Sequence, residues 1–239
     1  MIRVGRRQYI NGKPVDPNFP GFTPILCLTP STKYGKLGPY CLEKDGQILE
    51  NIWQFSKVYK FVPAVCERYS RYDQTIIWKN PAQNHLDEND NLTQNYLEWR
   101  EKGMNNKYAV RYPVGYKFRN KCLFSLKTLD GPRLDYIDAR KQIYLPLYLE
   151  LVKNCPQFLE LKGRLANGEN LLIIEVDGPH QESLNYYKSK YGVNDDFIIS
   201  NTIVVNKENM NVMLNDPKHS FGHGYCLGIA LFENLIKDS

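Results

Sequence analysis

Apolar residues recur every three or four positions in several stretches of the chain and gather into short continuous runs between them. In 49–61, Ile52, Phe55, Val58 and Tyr59 fall at helical spacing and Pro63 limits the run, which predicts a helix. Shorter or longer helical patterns cover 64–72, then 92–102 ending at Gly103, and 134–153 with a kink at Pro146. Two more cover 156–165, closed by Asn167-Gly168, and 224–237. The run 171–176 reads as a buried strand, with further strands at 7–10, 25–28, 75–78 and within 197–205. Asp45-Gly46 between Tyr40-Cys41-Leu42 and Gln47-Ile48-Leu49 predicts a tight hairpin that leads into the first helix. Residues 1–24, with four prolines, read as a short strand and an extended arm, and 79–91 as a polar surface loop. The expected fold class is α+β: a mainly helical single domain over 1–239 with short β-strands.

At 239 residues, with 42% hydrophobic and 24% charged residues, the chain has the composition of an ordinary globular protein with one sizeable core. No run of 18 apolar residues occurs, so no membrane span is expected, and the N-terminus lacks a signal peptide's apolar stretch. A cytoplasmic location follows as an expectation. The six cysteines are scattered without a CxxC pair, which favours reduced thiols over disulfides or a zinc knuckle. The net charge of +5 suits an anionic ligand without diagnosing a nucleic-acid binder. The 17 tyrosines offer flat faces for stacking on bases, and serve equally well in cores.

The helix predicted over 49–61 carries the most pointed chemistry. Glu50, Gln54 and Lys57 lie at i, i+4 and i+7, one above another on a single face, with Trp53 beside them. A solvated stripe with an ordinary ion pair has the same pattern. Between 107 and 121, Lys107, Arg111, Lys117, Arg119 and Lys121 alternate with Tyr108, Tyr112, Tyr116 and Phe118. This suits phosphate and base recognition, or equally a strand pair with one wet face. The turn Asp177-Gly178-Pro179-His180 ends the buried strand, where scaffolds tend to present functional side chains. There is no GxGxxG, P-loop, HExxH or GxSxG, and the four histidines lack metal-ligand spacing, so neither a cofactor nor a metal is expected.

In the order of its elements the chain resembles the NADAR (YbiA-like) superfamily. That family's helix carries a Glu, a Gln four positions on and a Lys three further, as do Glu50, Gln54 and Lys57 here. Tyr34-Gly35-Lys36-Leu37-Gly38-Pro39-Tyr40 is similar to its upstream loop. Asn154-Cys155-Pro156-Gln157-Phe158-Leu159, Asn167-Gly168-Glu169 and the strand to Glu175 are similar to its downstream run, and Leu227-Gly228-Ile229-Ala230-Leu231 to its closing helix. Residues 62–130 have no counterpart, and 79–130 read as a divergent insertion. The family's Trp-Gly after the aspartate is replaced by Gly178-Pro179-His180, and its Asn before Leu-Gly by Tyr225-Cys226.

The resemblance implies an N-glycosidase acting on a ribose-linked substrate: removal of ADP-ribose from a modified base, including one in nucleic acid, or cleavage of a ribosyl-amine phosphate. Glu50 would stabilise the positive charge that builds at the anomeric carbon, Asp177 or Glu175 would act as base or hold a ribose hydroxyl, and Lys57 would keep Glu50 ionised or bind phosphate. Gln54 would fix the sugar. Trp53, Tyr40, Arg111, Tyr112 and Tyr225 complete the expected substrate contacts. Two other readings stay open, a non-catalytic module binding ADP-ribose-type nucleotides or nucleic acid, and an interaction protein whose tyrosines face partners.

Overall fold

The computed structural model describes residues 1–68 and 74–237, the last four of these as backbone only. The fold is α/β, with helices and short strands. None of the described helices is long and apolar enough to cross a membrane. The chain divides into two compact units, Met1–Cys41 with Tyr148–Ser239, and Leu42–Leu147.

The first unit is built on a four-stranded sheet in the order Thr202–Val204, Ile2–Arg6, Leu171–Glu175, Thr23–Leu26. The strand Leu171–Glu175 runs parallel to both neighbours, and all five of its residues are buried. That agrees with its unbroken apolar run, since a strand covered on both faces has no reason to alternate. The helix His223–Lys237 packs on Ile2–Arg6, on Leu171–Glu175 and on the helix Pro156–Ala166. The N-terminal arm expected over 1–24 is corrected here, because Ile2–Arg6 is an interior strand. Arg3 and Arg6 hide it in the sequence. Arg3 is buried, with its guanidinium 3.9 Å from the centre of the Phe19 ring and its Nε donating to Thr202 Oγ1 at 2.7 Å. Only Gln8–Ile10 and Lys13–Val15, a hairpin through Asn11-Gly12, correspond to the surface strand expected there.

The second unit begins with the expected hairpin. Glu43–Lys44 pairs with Gln47–Ile48, and Asp45 (φ 53°) and Gly46 (φ 79°) take the left-handed turn geometry that Asp-Gly suits. The helix that follows is shorter than the apolar spacing predicts. It covers Leu49–Phe55, and Lys57–Tyr59 is already a strand paired with Cys122–Ser125. β-branched and aromatic Val58 and Tyr59 gain more from a ladder than from another helical turn. Residues 65–68 of the helix expected over 64–72 also form a strand, Val65–Arg68, antiparallel to Ile77–Asn80; residues 69–72 lie outside the described residues. The loop expected over 79–91 contains Gln83–Asn84, paired with Phe61–Val62. The 107–121 stretch is neither strand nor hairpin, but turns and one 3-10 turn at Tyr116–Phe118. The kink expected at Pro146 is a π-helical turn at Arg140–Tyr144 between the helices Tyr136–Ala139 and Leu145–Val152. Proline has no N–H for the carbonyl four residues back, and a widened turn accommodates the gap.

The helix Gln94–Met104 runs through Gly103 and packs on Leu49–Phe55. A side chain at Gly103 would overlap the Phe55 ring, so glycine here sets how closely the two helices approach. Phe55, Tyr59, Trp78, Tyr96 and Trp99 form the core beneath them.

Candidate functional site

Glu50 sits in the first turn of Leu49–Phe55, where the unpaired amides of a helix N-terminus favour negative charge. It is 6% exposed. Its Oε1 accepts from Gln54 Nε2 at 2.9 Å, and Gln54 Oε1 accepts from Lys57 Nζ at 2.9 Å. The carboxamide thus faces a charge at each end, its NH2 towards the carboxylate and its oxygen towards the ammonium, which leaves one sensible amide orientation. Lys57 reaches this chain from a strand, after the backbone has left the helix at Ser56. Burial draws the Lys57 ammonium below the usual lysine range, opposed by the charges of Cys122 and Glu50.

Trp53 forms one wall. Its ring lies 4.7 Å from Lys57 Nζ, 5.2 Å from the Tyr144 ring and 6.5 Å from the Tyr136 ring, and it packs against the cluster of Leu134, Ala139 and Ile143. The result is a buried carboxylate, a carboxamide and an ammonium in a fixed row beside a half-buried indole. Such a row holds negative charge at a set position, where it can stabilise a developing cation.

Asn51, which the apolar spacing does not single out, locks the neighbouring loop. Its Nδ2 donates to the carbonyls of Asn106 and Tyr108 at 3.0 Å each, and its Oδ1 accepts from the Val110 amide at 2.8 Å. The loop continues to Arg111 and Tyr112. The Arg111 guanidinium lies 5.2 Å from the Tyr112 ring, Tyr112 meets Tyr116 edge-on at 5.2 Å, and the Arg119 guanidinium lies 3.6 Å over Tyr116. Tyr116 is 58% exposed. A pocket of about 400 Å³ opens beside the same loop, lined by Glu67, Trp78, Lys107 and Tyr108 among others. Burial pushes the Glu67 carboxyl up, against the lowering charge of Arg111.

In the first unit, Glu175 ends the central strand and is fully buried. Its Oε1 accepts from the amides of Val176 (2.7 Å) and Asp177 (3.3 Å), its Oε2 from the Gly224 amide (2.6 Å), and His223 Nδ1 lies 3.3 Å from Oε2. A Cβ at Gly222 would lie 2.5 Å from Glu175 Oε2 and 2.8 Å from Asp177 Oδ2, so the glycines opening the last helix let its backbone meet both carboxylates. Asp177 is half-buried beside them. Tyr225 is 1% exposed, with its hydroxyl against Gly178 (φ 94°) and its ring stacked on Phe221. Burial first, and then the charges of Glu175 and Asp177, push its phenol up. Tyr40 is half-buried.

The residues singled out in the sequence therefore form three groups: Glu50 with Gln54, Lys57 and Trp53; Arg111 with Tyr112; and Glu175 with Asp177 and Tyr225. His223, whose spacing gives no metal motif, proves to be the ionic partner of Glu175. Comparison with protein-family models, curated proteins and solved structures gives no match to this chain.

Proposed function

We propose that this chain is an N-glycosidase acting on a ribose-linked substrate, a base carrying ADP-ribose or a ribosyl-amine phosphate, with Glu50 as its principal carboxylate. The observation that carries the reading is the Glu50–Gln54–Lys57 chain, two hydrogen bonds of 2.9 Å ending on a buried carboxylate. The resemblance to the NADAR superfamily in these three residues supports it. When the bond between the base nitrogen and the anomeric carbon breaks, the electron pair leaves with the nitrogen and the sugar carbon becomes cationic. Glu50, held by Gln54, stabilises that charge. Water then bonds to the anomeric carbon, and its proton passes to Glu50 and on to the departed base. Lys57 balances the carboxylate electrostatically. Trp53 offers a face for the leaving base.

The test is mass spectrometry of products from ADP-ribosylated guanine oligonucleotides, NAD and ribosylamino-pyrimidine phosphates, with Glu50→Gln as control. Release of ADP-ribose or ribose phosphate that is lost in the variant supports the reading. Absence of cleavage across the panel refutes it. The resemblance adds Asp177 as a second carboxylate, and Asp177→Asn in the same assay tests that role separately.

A second reading has its own observation. The Arg111, Tyr112, Tyr116 and Arg119 array presents cations over aromatic faces, which suits non-catalytic binding of a nucleotide or single-stranded nucleic acid. Ligand that binds, is recovered intact, and releases as salt is raised would favour it.

A further inference from the structure

The first unit holds a second cluster that the glycosidase reading does not use. Asp216, at the end of the helix Lys207–Asn215, has no exposed surface. Its Oδ1 accepts from the hydroxyls of Tyr186 (2.6 Å) and Tyr191 (3.2 Å), and its Oδ2 from the hydroxyl of Tyr187 (2.7 Å). The amides of Lys218 (3.2 Å) and His219 (3.1 Å) donate to it as well. Burial alone would raise this carboxyl, but the donors outweigh it and hold the group well below the usual carboxylate range.

His219 Nδ1 lies 2.8 Å from Asp216 Oδ2 and 2.8 Å from the Tyr187 hydroxyl, whose own proton goes to the same carboxylate. With acceptor oxygens on that side, Nδ1 carries the imidazole proton. That leaves the lone pair of the neutral ring on Nε2, which faces Ser183 Oγ at 3.2 Å. The ring plane is set by Tyr187, stacked on it at 5.4 Å and 23°. Ser183 precedes the helix Leu184–Tyr191 but makes no side-chain cap bond to it. Its hydroxyl is therefore committed to His219 rather than to the helix end.

We propose that Ser183, His219 and Asp216 form a Ser–His–Asp hydrolytic centre that cleaves carboxylic esters. Ser183 Oγ bonds to the ester carbonyl carbon as its proton moves to His219 Nε2. The C–O bond to the alcohol then breaks, and the same proton leaves with the alkoxide. Water attacks the acyl-serine and gives its proton to His219, and the Oγ–C bond breaks as Ser183 is reprotonated, releasing the acid. Asp216 keeps the tautomer and balances the imidazolium.

The experiment treats the full chain with a fluorophosphonate probe, maps the adduct by peptide mass spectrometry, and follows p-nitrophenyl acetate hydrolysis. Thermal unfolding is measured on Ser183→Ala and His219→Gln. The expected result is a single adduct on Ser183, with hydrolysis lowered about 100-fold or more in both variants. The Ser183→Ala melting temperature should be unchanged. No adduct on folded protein, an adduct elsewhere, or labelling of Ser183 undiminished in folded His219→Gln would overturn the proposal. Because Ser183→Ala removes only one oxygen, hydrolysis retained in that variant is equally decisive against it.

Discussion

Glu175 and His223 form a buried ion pair in which both imidazole nitrogens face acceptors. Nδ1 lies 3.3 Å from Glu175 Oε2, and Nε2 lies 3.2 Å from the Cys27 carbonyl oxygen. A neutral ring can donate to only one of these, so the pairing asks for the imidazolium. Burial alone would lower this histidine, but the Glu175 charge and the Cys27 carbonyl override it and raise the group to about 10. Its folded value lies above the unfolded value of 6.5, so the stabilisation is complete below about 6.5 and disappears as pH rises through about 10. His223→Gln should lose about 3–5 kcal/mol at pH 6, because Glu175 is left buried without its cation. The gap from the parent protein should close on the alkaline side. Urea unfolding of both proteins between pH 6 and 10 checks this, and a gap that widens with pH would contradict it.

Gln54 links two charges that do not touch each other directly in the chain Glu50–Gln54–Lys57. Gln54→Met keeps the length of the side chain and removes both bonds. It should cost about 1–3 kcal/mol, since a half-buried ammonium loses its acceptor. Any glycosidase activity should fall with it, while Gln54→Glu should place like charge beside Glu50 and fare worse. Melting temperatures measured beside product formation separate the two effects.

Gly103 offers a packing test that leaves the charged groups alone. Its missing side chain is the space that the Phe55 ring occupies. Gly103→Ala gains helix propensity of about 1 kcal/mol, but overpacking a core of this kind costs about 1–3 kcal/mol. Net destabilisation by urea unfolding is expected. Pairing the change with Phe55→Leu should recover part of the loss.

Local chemistry was readable where one residue pair decides the backbone. Asp45-Gly46 gave its hairpin, and the unbroken run from Leu171 gave the central strand. The Glu50–Gln54 pair was readable because i, i+4 contact needs only one helical turn. Lys57 keeps its partner but reaches it from a strand, since Val58 and Tyr59 find their ladder at Cys122–Ser125, far along the chain. The strand Ile2–Arg6 was hidden because Arg3 reads as a surface residue until Phe19 and Thr202 supply its contacts, and Arg6 until the Gly178 carbonyl accepts from it. Ser183 and His219 are 36 positions apart, and no local spacing joins them.

His85 makes the second unit sensitive to acid. Nδ1 accepts the Tyr59 amide at 3.3 Å, and the ring packs against Trp99 at 4.6 Å and Tyr96 at 5.0 Å. With Nδ1 accepting, the neutral ring carries its proton on Nε2, which has no hydrogen-bond partner among the described residues, so a second proton would go to Nδ1, displacing the Tyr59 amide and bringing charge into an aromatic core. Burial lowers the group from 6.5 to about 4. The unfolded chain binds this proton first, so stability is full above about 6.5 and falls as pH drops through about 4. His85→Phe removes the acceptor for the Tyr59 amide and should lower stability at pH 7 by about 1–3 kcal/mol. It should also flatten the slope between pH 6.5 and 4 relative to the parent protein. Unfolding by urea across that range, followed by tryptophan fluorescence from Trp99 and Trp78, reads both effects. Parallel slopes in the two proteins would mean that His85 does not govern the acid limb.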